Sequence, residues 1–205
     1  EQAGSGNLMH QFEQLKNKLD SEGLFDLSKK LSLPDSPSHI GVITSPSTAA
    51  FQDILSTIKR RAPSSQISLS SAIVQGDTAA SSLIKALDRI IRFNDNNPDN
   101  SIDVVVISRG GGSMEDLWCF NNEDLARQIA AFPIPTISGV GHEIDFTICD
   151  FVSDMRAPTP TASAEIVTEF SFQVYDKLNE IQSDLQRSIK ISLKDKLQKI
   201  QSLKG

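Results

Sequence analysis

A glycine-rich turn headed by an arginine is the clearest candidate for chemistry in this sequence. Arg109, Gly110, Gly111, Gly112 and Ser113 directly follow a run of apolar residues. Glycines free the backbone to take positive φ and leave its N–H groups accessible to a phosphate. An adjacent guanidinium can bind two phosphate oxygens at once. A surface arginine beside a plain connection is the alternative, but a position directly after a buried strand favours an anion-binding role.

A histidine and an aspartate form the second candidate. His142 and Asp145 are separated by two residues and follow a pair of glycines. Imidazole titrates near neutral pH and can move a proton to or from a phosphodiester oxygen, while a nearby carboxylate can orient the ring. Such a pair taken alone is more often structural, but its place after a predicted strand favours catalysis. His10 and His39 lack this context and are interpreted as surface or boundary residues.

Alternating strand-like and helix-like patterns must position these residues. Short β-branched runs predict strands, and apolar residues spaced by three and four predict helices. The predicted strands are 39–44, 66–74, 103–108 and 135–139, and the predicted helices between them are 47–61, 78–93 and 123–132. This βαβαβαβ order predicts an α/β fold with a Rossmann-like parallel sheet and covering helices.

The candidate residues fall where the predicted strands end. Ser45 follows the first strand and leads into a helix that carries Asp53, the arginine turn follows the third strand, and His142 and Asp145 follow the fourth. Ligands of open parallel sheets bind at the carboxyl ends of the strands. The sequence therefore predicts one anion-handling site at this edge, with phosphate contacts from Ser45, Arg109 and the residues up to Ser113.

Two further segments flank this α/β region, which is assigned to residues 39–160. Residues 1–38 are interpreted as a leading helix, over 8–21, and a linker. Residues 161–205 repeat apolar positions every three or four residues without an intervening proline or glycine before the last residue. A single helix of that length usually needs a partner, so this segment is predicted to begin a long helical arm or coiled coil.

Composition narrows the classes of function. A net charge of −6 argues against a broad DNA-binding surface on this chain, because such surfaces are normally basic. If the chain acts on DNA, most of the affinity is expected to come from elsewhere. Cys119 and Cys149 lie outside any metal-binding or redox spacing, which favours reduced, packed thiols and a reducing compartment. No stretch approaches the roughly 20 apolar residues of a membrane span.

Several common motifs are absent from the sequence. There is no P-loop and no GxSxG elbow, which disfavours ATP hydrolysis of the P-loop kind and α/β-hydrolase chemistry. The pair Gly139 and Gly141 lacks the third glycine of a dinucleotide fingerprint, because position 144 is isoleucine. A zinc-protease HExxH is also missing, since no second histidine follows His142 at the required spacing.

Several longer runs closely resemble the large subunits of exodeoxyribonuclease VII. They are GVITS (41–45), IKRR (58–61), VQGD (74–77), SRGGGSMEDLW (108–118), VGHEIDFTICDFVSD (140–154) and RAPTPTASAE (156–165), with EGLFD (22–26) in the leading segment. The resemblance implies a cytoplasmic bacterial nuclease that degrades single-stranded DNA from either end to short oligonucleotides. It also implies that Asp53, Arg109, His142 and Asp145 are the essential polar residues.

The same resemblance implies partners and cofactors. Family members carry an OB-fold domain for single-stranded DNA ahead of the region matched here, and their C-terminal helices recruit several small subunits. A second copy of the large subunit is a further candidate partner, and no membrane association is expected. No cofactor is obligatory in the family, although some members use magnesium, for which Asp53 and Asp145 would be the oxygen ligands here.

These observations predict hydrolysis of a phosphodiester. Arg109 and the backbone N–H groups of the turn would stabilise charge on the phosphate oxygens. His142 would act as general base or general acid, or would itself attack phosphorus, and Asp145 would hold the orientation of its ring. Asp53 would bind a metal ion, orient water or pair with Arg109. Two rival classes are a nucleotide- or phosphosugar-binding module without nuclease activity, and a scaffold for the long helix.

Overall fold

The α/β body is built on a parallel sheet, in a computed structural model that describes residues 2–112, 114–141 and 145–202. The strands are β1 (His39–Thr44), β2 (Gln66–Ser71), β3 (Val104–Ser108), β4 (Thr136–Gly139) and β5 (Met155–Arg156). In the described part of the chain they form one five-stranded sheet in the order β2-β1-β3-β4-β5, and every neighbouring pair is parallel. The predicted fold class is confirmed. The sequence analysis missed β5, because two residues are too few to show a period.

Helices cover both faces of this sheet. They are α1 (Gln2–Ser21), α2 (Ala49–Arg61), α3 (Ala79–Asn96), α4 (Met114–Leu117), α5 (Glu123–Ala130), α6 (Ile148–Val152), α7 (Pro160–Val167) and α8 (Glu169–Ser202). Short 3-10 turns lie at Leu27–Lys29, Pro98–Asn100 and Trp118–Asn121. Side-chain caps begin α5 and α7: Asn122 accepts from the N–H of Leu125 at α5, and Thr159 accepts from that of Ala162 at α7. Among the described residues, no helix has the length and apolarity that crossing a membrane requires.

The buried residues of β3 explain why its sequence is a continuous apolar run. Val105 and Ile107 belong to a cluster under α1, α3, α5 and α6, while Val104 and Val106 belong to a second cluster under α2 and α7. Successive side chains of a strand point to opposite faces, so a strand covered on both sides must be apolar throughout. The central strands therefore lie inside the body, and solvent-accessible polar residues become frequent where the strands end.

The leading helix packs onto the body. Leu19 is fully buried, and Phe12 and Leu15 contact the same cluster as β3 and α5. The ammonium of Lys18 bonds both carboxylate oxygens of Glu123 at 2.8 Å. The helix predicted over 8–21 lies within α1, and its apolar stripe is the face that contacts the body.

The predicted long C-terminal helical arm is confirmed, but it begins later than the apolar pattern indicates. The structure divides the segment at Thr168, where α7 ends and α8 begins, so only the expectation of one uninterrupted helix from position 161 is wrong. The hydroxyl of Thr168 donates to the carbonyl of Ala164 at 2.6 Å and accepts from Nε of Arg61 at 3.0 Å. Hydroxyl bonds to the backbone compete with the helical pattern. As a result α7 packs on α2 with Ala164 in the core, and only α8 extends outward.

Candidate active site

The strand order creates a crevice at the carboxyl edge of the sheet. From β1 the chain moves to β2 on one side, and β3 then adds on the other side of β1. The loops that follow β1 and β3 therefore lead in opposite directions and leave room between them, which is where ligands of doubly wound sheets bind. Ser45 follows β1 and Arg109 follows β3, so the topology brings these two predicted residues to the same switch point.

Arg109 is the buried charge of this crevice. Only 5% of the residue is exposed, and its backbone N–H lies 3.4 Å from the carbonyl oxygen of Gly139 in β4. Its Nη2 lies 3.4 Å from Oε1 of Gln75 and 3.6 Å from Oδ2 of Asp116. Its Nη1 is buried and has no hydrogen-bond partner among the described residues. A buried donor without a partner costs stability, and an anion oxygen would satisfy it.

Gly112 packs directly against that guanidinium. A Cβ built on Gly112 would lie 2.5 Å from Nη2 of Arg109 and 2.8 Å from Oδ2 of Asp116. A side chain at position 112 would therefore displace the guanidinium or the carboxylate. Neither Gly110 nor Gly112 has a φ in the left-handed region, so the expectation that these glycines serve to supply positive φ is wrong at both positions. Ser113 lies outside the described residues.

Gly141 and Asp145, both in the loop after β4, lie close to each other. A Cβ on Gly141 would overlap the backbone oxygen of Asp145, so only a glycine lets these two points of the loop approach. Asp145 is half-buried at the end of the loop. His142, the other predicted residue of this loop, lies outside the described residues. Of the predicted His–Asp pair, the described part of the chain therefore includes only Asp145, in the loop that follows β4.

Buried Asp150 anchors the end of this loop, and sequence reasoning missed it. Its carboxylate accepts from the N–H and hydroxyl of Thr147 at 2.8 and 2.9 Å, and from the hydroxyl of Ser138 in β4 at 2.6 Å. Arg156 lies 3.9 Å from the same carboxylate and stacks on the ring of Phe146 at 3.8 Å from its centroid. A carboxylate within an otherwise apolar short helix was the available signal for this role.

Asp53 lies on the exposed side of α2, one turn beyond Ala50. Ala50 faces the arginine turn, since its Cβ is 3.9 Å from the place a Cβ on Gly110 would take. Residues three apart are neighbours on a helix, so Asp53 lies along the same side of α2 as the turn. Among the described residues, however, the carboxylate paired with Arg109 is that of Asp116, not that of Asp53.

Ser45 forms the other wall of the crevice. Its carbonyl accepts from the N–H and hydroxyl of Thr48, and its hydroxyl lies 3.4 Å from that of Ser47. These residues line a hollow of about 480 Å³ together with Gln75. Because Gln75 also bonds the guanidinium of Arg109, the hydroxyl-rich hollow adjoins the buried charge. The hydroxyl groups of the hollow and the adjoining guanidinium together suit a ligand that carries an anionic group and other hydrogen-bonding groups.

Two further observations describe the electrostatics. Burial raises the pKa of the Cys119 thiol to about 11, although the positive charge of Arg109 acts in the opposite direction. The thiol is therefore neutral near physiological pH and is not a nucleophile. Within residues 2–112, 114–141 and 145–202, no three His, Cys, Asp or Glu side chains converge as a metal site requires.

Comparison with known proteins identifies similar sequences. A family model described as "Exonuclease VII, large subunit" matches residues 24–205. An exodeoxyribonuclease 7 large subunit of Vibrio parahaemolyticus is 53% identical over 165 residues, covering 80% of this chain and 36% of that relative. Relatives of the same name from Clostridioides difficile and Geobacillus kaustophilus are 50% and 46% identical, covering 91% and 98% of this chain. The chain spans less than half the length of these curated relatives, since it covers 45% and 44% of the latter two.

Proposed function

This chain belongs to the exonuclease VII large-subunit family, and we propose that it carries the site at which such an enzyme hydrolyses phosphodiester bonds of single-stranded DNA. The observation that carries the proposal is the guanidinium of Arg109, buried at the switch point with Nη1 lacking a hydrogen-bond partner among the described residues. A phosphate oxygen is the ligand that this donor fits best. The names of the relatives supply the class of reaction.

The arginine would stabilise the charge that develops on phosphate during hydrolysis. A non-bridging oxygen would accept from Nη1, while Gln75 and Asp116 hold Nη2 on the opposite side of the fork. Backbone N–H groups of the turn from Gly110 to Ser113 would add further donors. Donors placed before the reaction begins need no reorganisation, and for this reason such stabilisation supplies most of the rate enhancement in many active sites.

Proton transfer is assigned to His142 and Asp145. His142 would take a proton from the attacking water or give one to the leaving oxygen, or would itself attack phosphorus. Asp145 would hold the orientation of the ring. Asp53 would orient water or, together with Asp145, offer oxygen ligands to magnesium, which when bound would neutralise charge on the phosphate. No cofactor is obligatory in this proposal.

The partners follow from the same family. We assign single-stranded DNA cut from either end as the substrate, with small subunits bound along α8 and a second copy of the large subunit as a further partner. The apolar side chains of Leu178, Ile181, Leu185 and Ile189 are about half exposed along α8, which supports a helical partner there. The described free thiols, Cys119 and Cys149, support a cytoplasmic location.

Release of acid-soluble fragments from labelled single-stranded DNA tests the proposal. The complete large subunit with its small subunits would be assayed as wild type, His142→Ala and Arg109→Lys, each with magnesium and again with a chelator. Both variants should lose at least about a hundredfold in rate, because a lost acid–base group or a lost fork donor typically costs that much. The chelator series decides whether metal is required.

Each result that contradicts the proposed nuclease function would support one of the two alternative functions. No release by the wild type, together with saturable binding of a small phosphate compound, would indicate a nucleotide- or phosphosugar-binding module. Equal release by wild type and both variants would place the chemistry elsewhere and leave a scaffold role for this body.

A further inference from the structure

An aromatic cavity of about 420 Å³ lies beside the loop that carries Asp145. It is enclosed by α1, by the 3-10 turn after α4 and by the segment leading into α6. The lining residues that matter here are Phe12, Lys16, Trp118, Asp145, Phe146 and Phe151. The volume falls within the range of roughly 300–1,000 Å³ that is usual for small-molecule pockets.

Two aromatic side chains of this cavity, Phe146 and Phe151, have contacts that orient their rings. The ring of Phe146 is braced by the guanidinium of Arg156 at 3.8 Å from its centroid, and it lies 5.8 Å from the ring of Phe151. Phe146 nevertheless remains 47% exposed. Lys16 from α1 supplies a cation, with Nζ 4.7 Å from the centroid of Phe151. A rigid aromatic surface with a cation at its rim is complementary to a flat ring attached to a phosphate.

Two of the oxygens in the cavity wall are already engaged within the protein. Oδ1 of Asn121 accepts from the N–H of Ile148 at 2.8 Å, and the hydroxyl of Thr147 donates to Asp150 at 2.9 Å. These oxygens are therefore not free to read the hydrogen-bonding edge of a ligand. The cavity suits a ring bound by its face.

The cavity adjoins the proposed site on two sides. Asp145 itself forms part of its wall. Leu117 and Trp118, which also line it, directly follow Asp116, whose carboxylate lies 3.6 Å from Nη2 of Arg109. A ligand held at Arg109 would therefore have its neighbouring groups within reach of these rings.

We propose that this cavity binds one unpaired nucleobase of the DNA strand by stacking, next to the phosphate held at Arg109. This inference rests on the proposed function, because it needs a strand at that site. Every base has a π-face, so stacking accepts any base and excludes bases still paired within a duplex. Lys16 would contact a backbone phosphate of the same strand. The cavity would thus select single strands without selecting sequence.

Paired variants of the complete large subunit, assembled with its small subunits, test the stacking. Trp118→Leu and Phe146→Leu keep apolar bulk but remove the aromatic face, and each should lower kcat/KM for an oligothymidylate about tenfold, within the range that one stacked base contributes. Trp118→Phe and Phe146→Tyr keep a ring and should stay within about threefold of wild type, which separates stacking from folding. Full activity of both leucine variants would overturn the proposal.

A second arm changes the DNA. A single abasic residue would be moved along the oligonucleotide, and at one position relative to the cut it should slow the wild type about tenfold. The same abasic residue should cost Trp118→Leu less than about twofold, because the stacking partner is already gone. An equal cost in both enzymes would overturn the proposal.

The outcomes separate this inference from the proposed function. If the wild type does not cut single-stranded DNA at all, the proposed function has failed. If the wild type cuts but the abasic cost is the same in wild type and Trp118→Leu, only the nucleobase cavity has failed. Loss of small subunits from the leucine variants on size-exclusion chromatography, with kcat/KM unchanged, would show that a protein covers the cavity and would likewise overturn it.

Discussion

The two edges of the sheet both bury ionisable side chains, but they satisfy them differently. At the amino edge, buried His39 bonds Ser68 at 2.7 Å through Nε2 and the carbonyl of Asn100 at 3.0 Å through Nδ1. One oxygen of Asp103 accepts three hydrogen bonds there, two from Ser38 and one from the N–H of His39. At the carboxyl edge, Nη1 of Arg109 and the hydroxyl of Thr44 are buried without a partner among the described residues.

This difference supports the proposal that the Arg109 guanidinium binds a ligand, whereas His39 and Asp103 stabilise the fold. A buried polar group is normally paired in a native protein, and one left unpaired lowers stability. Such a cost persists where function requires it. Burial or charge alone would not have distinguished His39 from Arg109. Their hydrogen bonds distinguish them: both ring nitrogens of His39 have partners, whereas Nη1 of Arg109 is buried without a partner among the described residues.

The largest expected effect comes from Arg109→Met, which keeps the aliphatic packing but removes the guanidinium. Turnover of single-stranded DNA should fall by about 10²–10³-fold, the usual result of removing one donor to a developing charge. The free energy of unfolding should change by less than about 1 kcal/mol, because the lost contacts are long and one donor was unpaired. Initial rates and urea unfolding curves measure the two quantities.

The opposite result for Arg109→Met would contradict the distinction between a stabilising amino edge and a binding carboxyl edge. A clear loss of stability with full turnover per folded molecule would make Arg109 a structural residue like His39.

The next effect is expected from Asp103→Ala at the amino edge. Three donors lose their acceptor, which should lower the free energy of unfolding by about 2–3 kcal/mol. The shift of the urea midpoint measures this loss. Turnover per folded molecule should match wild type, since no proposed site residue is touched.

Asp103→Asn is the matched control, because it retains one acceptor oxygen and should lose less stability than the alanine variant. A drop in turnover without a drop in stability would argue that the amino edge is also functional.

A smaller effect is expected from Gly112→Ala, where the new Cβ would meet Nη2 of Arg109 at 2.5 Å. The guanidinium must shift, and a displaced donor should lower kcat about tenfold while stability changes little. Gly110→Ala is the matched control, because its Cβ would meet only Ala50, at 3.9 Å. Steady-state rates of both variants check this. Equal losses in the two would mean that the space beside Arg109 is not what Gly112 provides.

The smallest effect concerns Cys119, whose thiol reports on the charge of Arg109. Burial raises its pKa to about 11, so alkylation at pH 8 should be far slower than in the unfolded chain and should rise about tenfold per pH unit towards 11. Arg109→Met removes a positive charge that lowers this pKa, so the variant should react more slowly still. Mass spectrometry of alkylated Cys119 measures both rates, and faster reaction in the variant would contradict the assignment.

The sequence by itself determined the fold class and the edge at which the site residues gather. Both follow from local patterns: apolar runs such as the one in β3 indicate a strand covered on two faces, and ligands of such sheets bind where the strands end. In the structure Arg109 follows β3 and Asp145 lies in the loop after β4, while their roles stay predictions. The local sequence pattern did not predict the break at Thr168. There the packing of α7 on α2 and a hydrogen bond from Arg61 divide a segment whose apolar spacing predicts one continuous helix.

The contacts that hold the Arg109 side chain could be known only from the tertiary structure. Its contact with Gln75 joins residues 34 positions apart, and the strand order that opens the crevice depends on which strands pair. The need for glycine at position 112 also appears only once Asp116 and the guanidinium are in place. Local periodicity depends on neighbours along the chain, whereas these contacts depend on residues that meet only when the sheet assembles, and no spacing in the sequence records them.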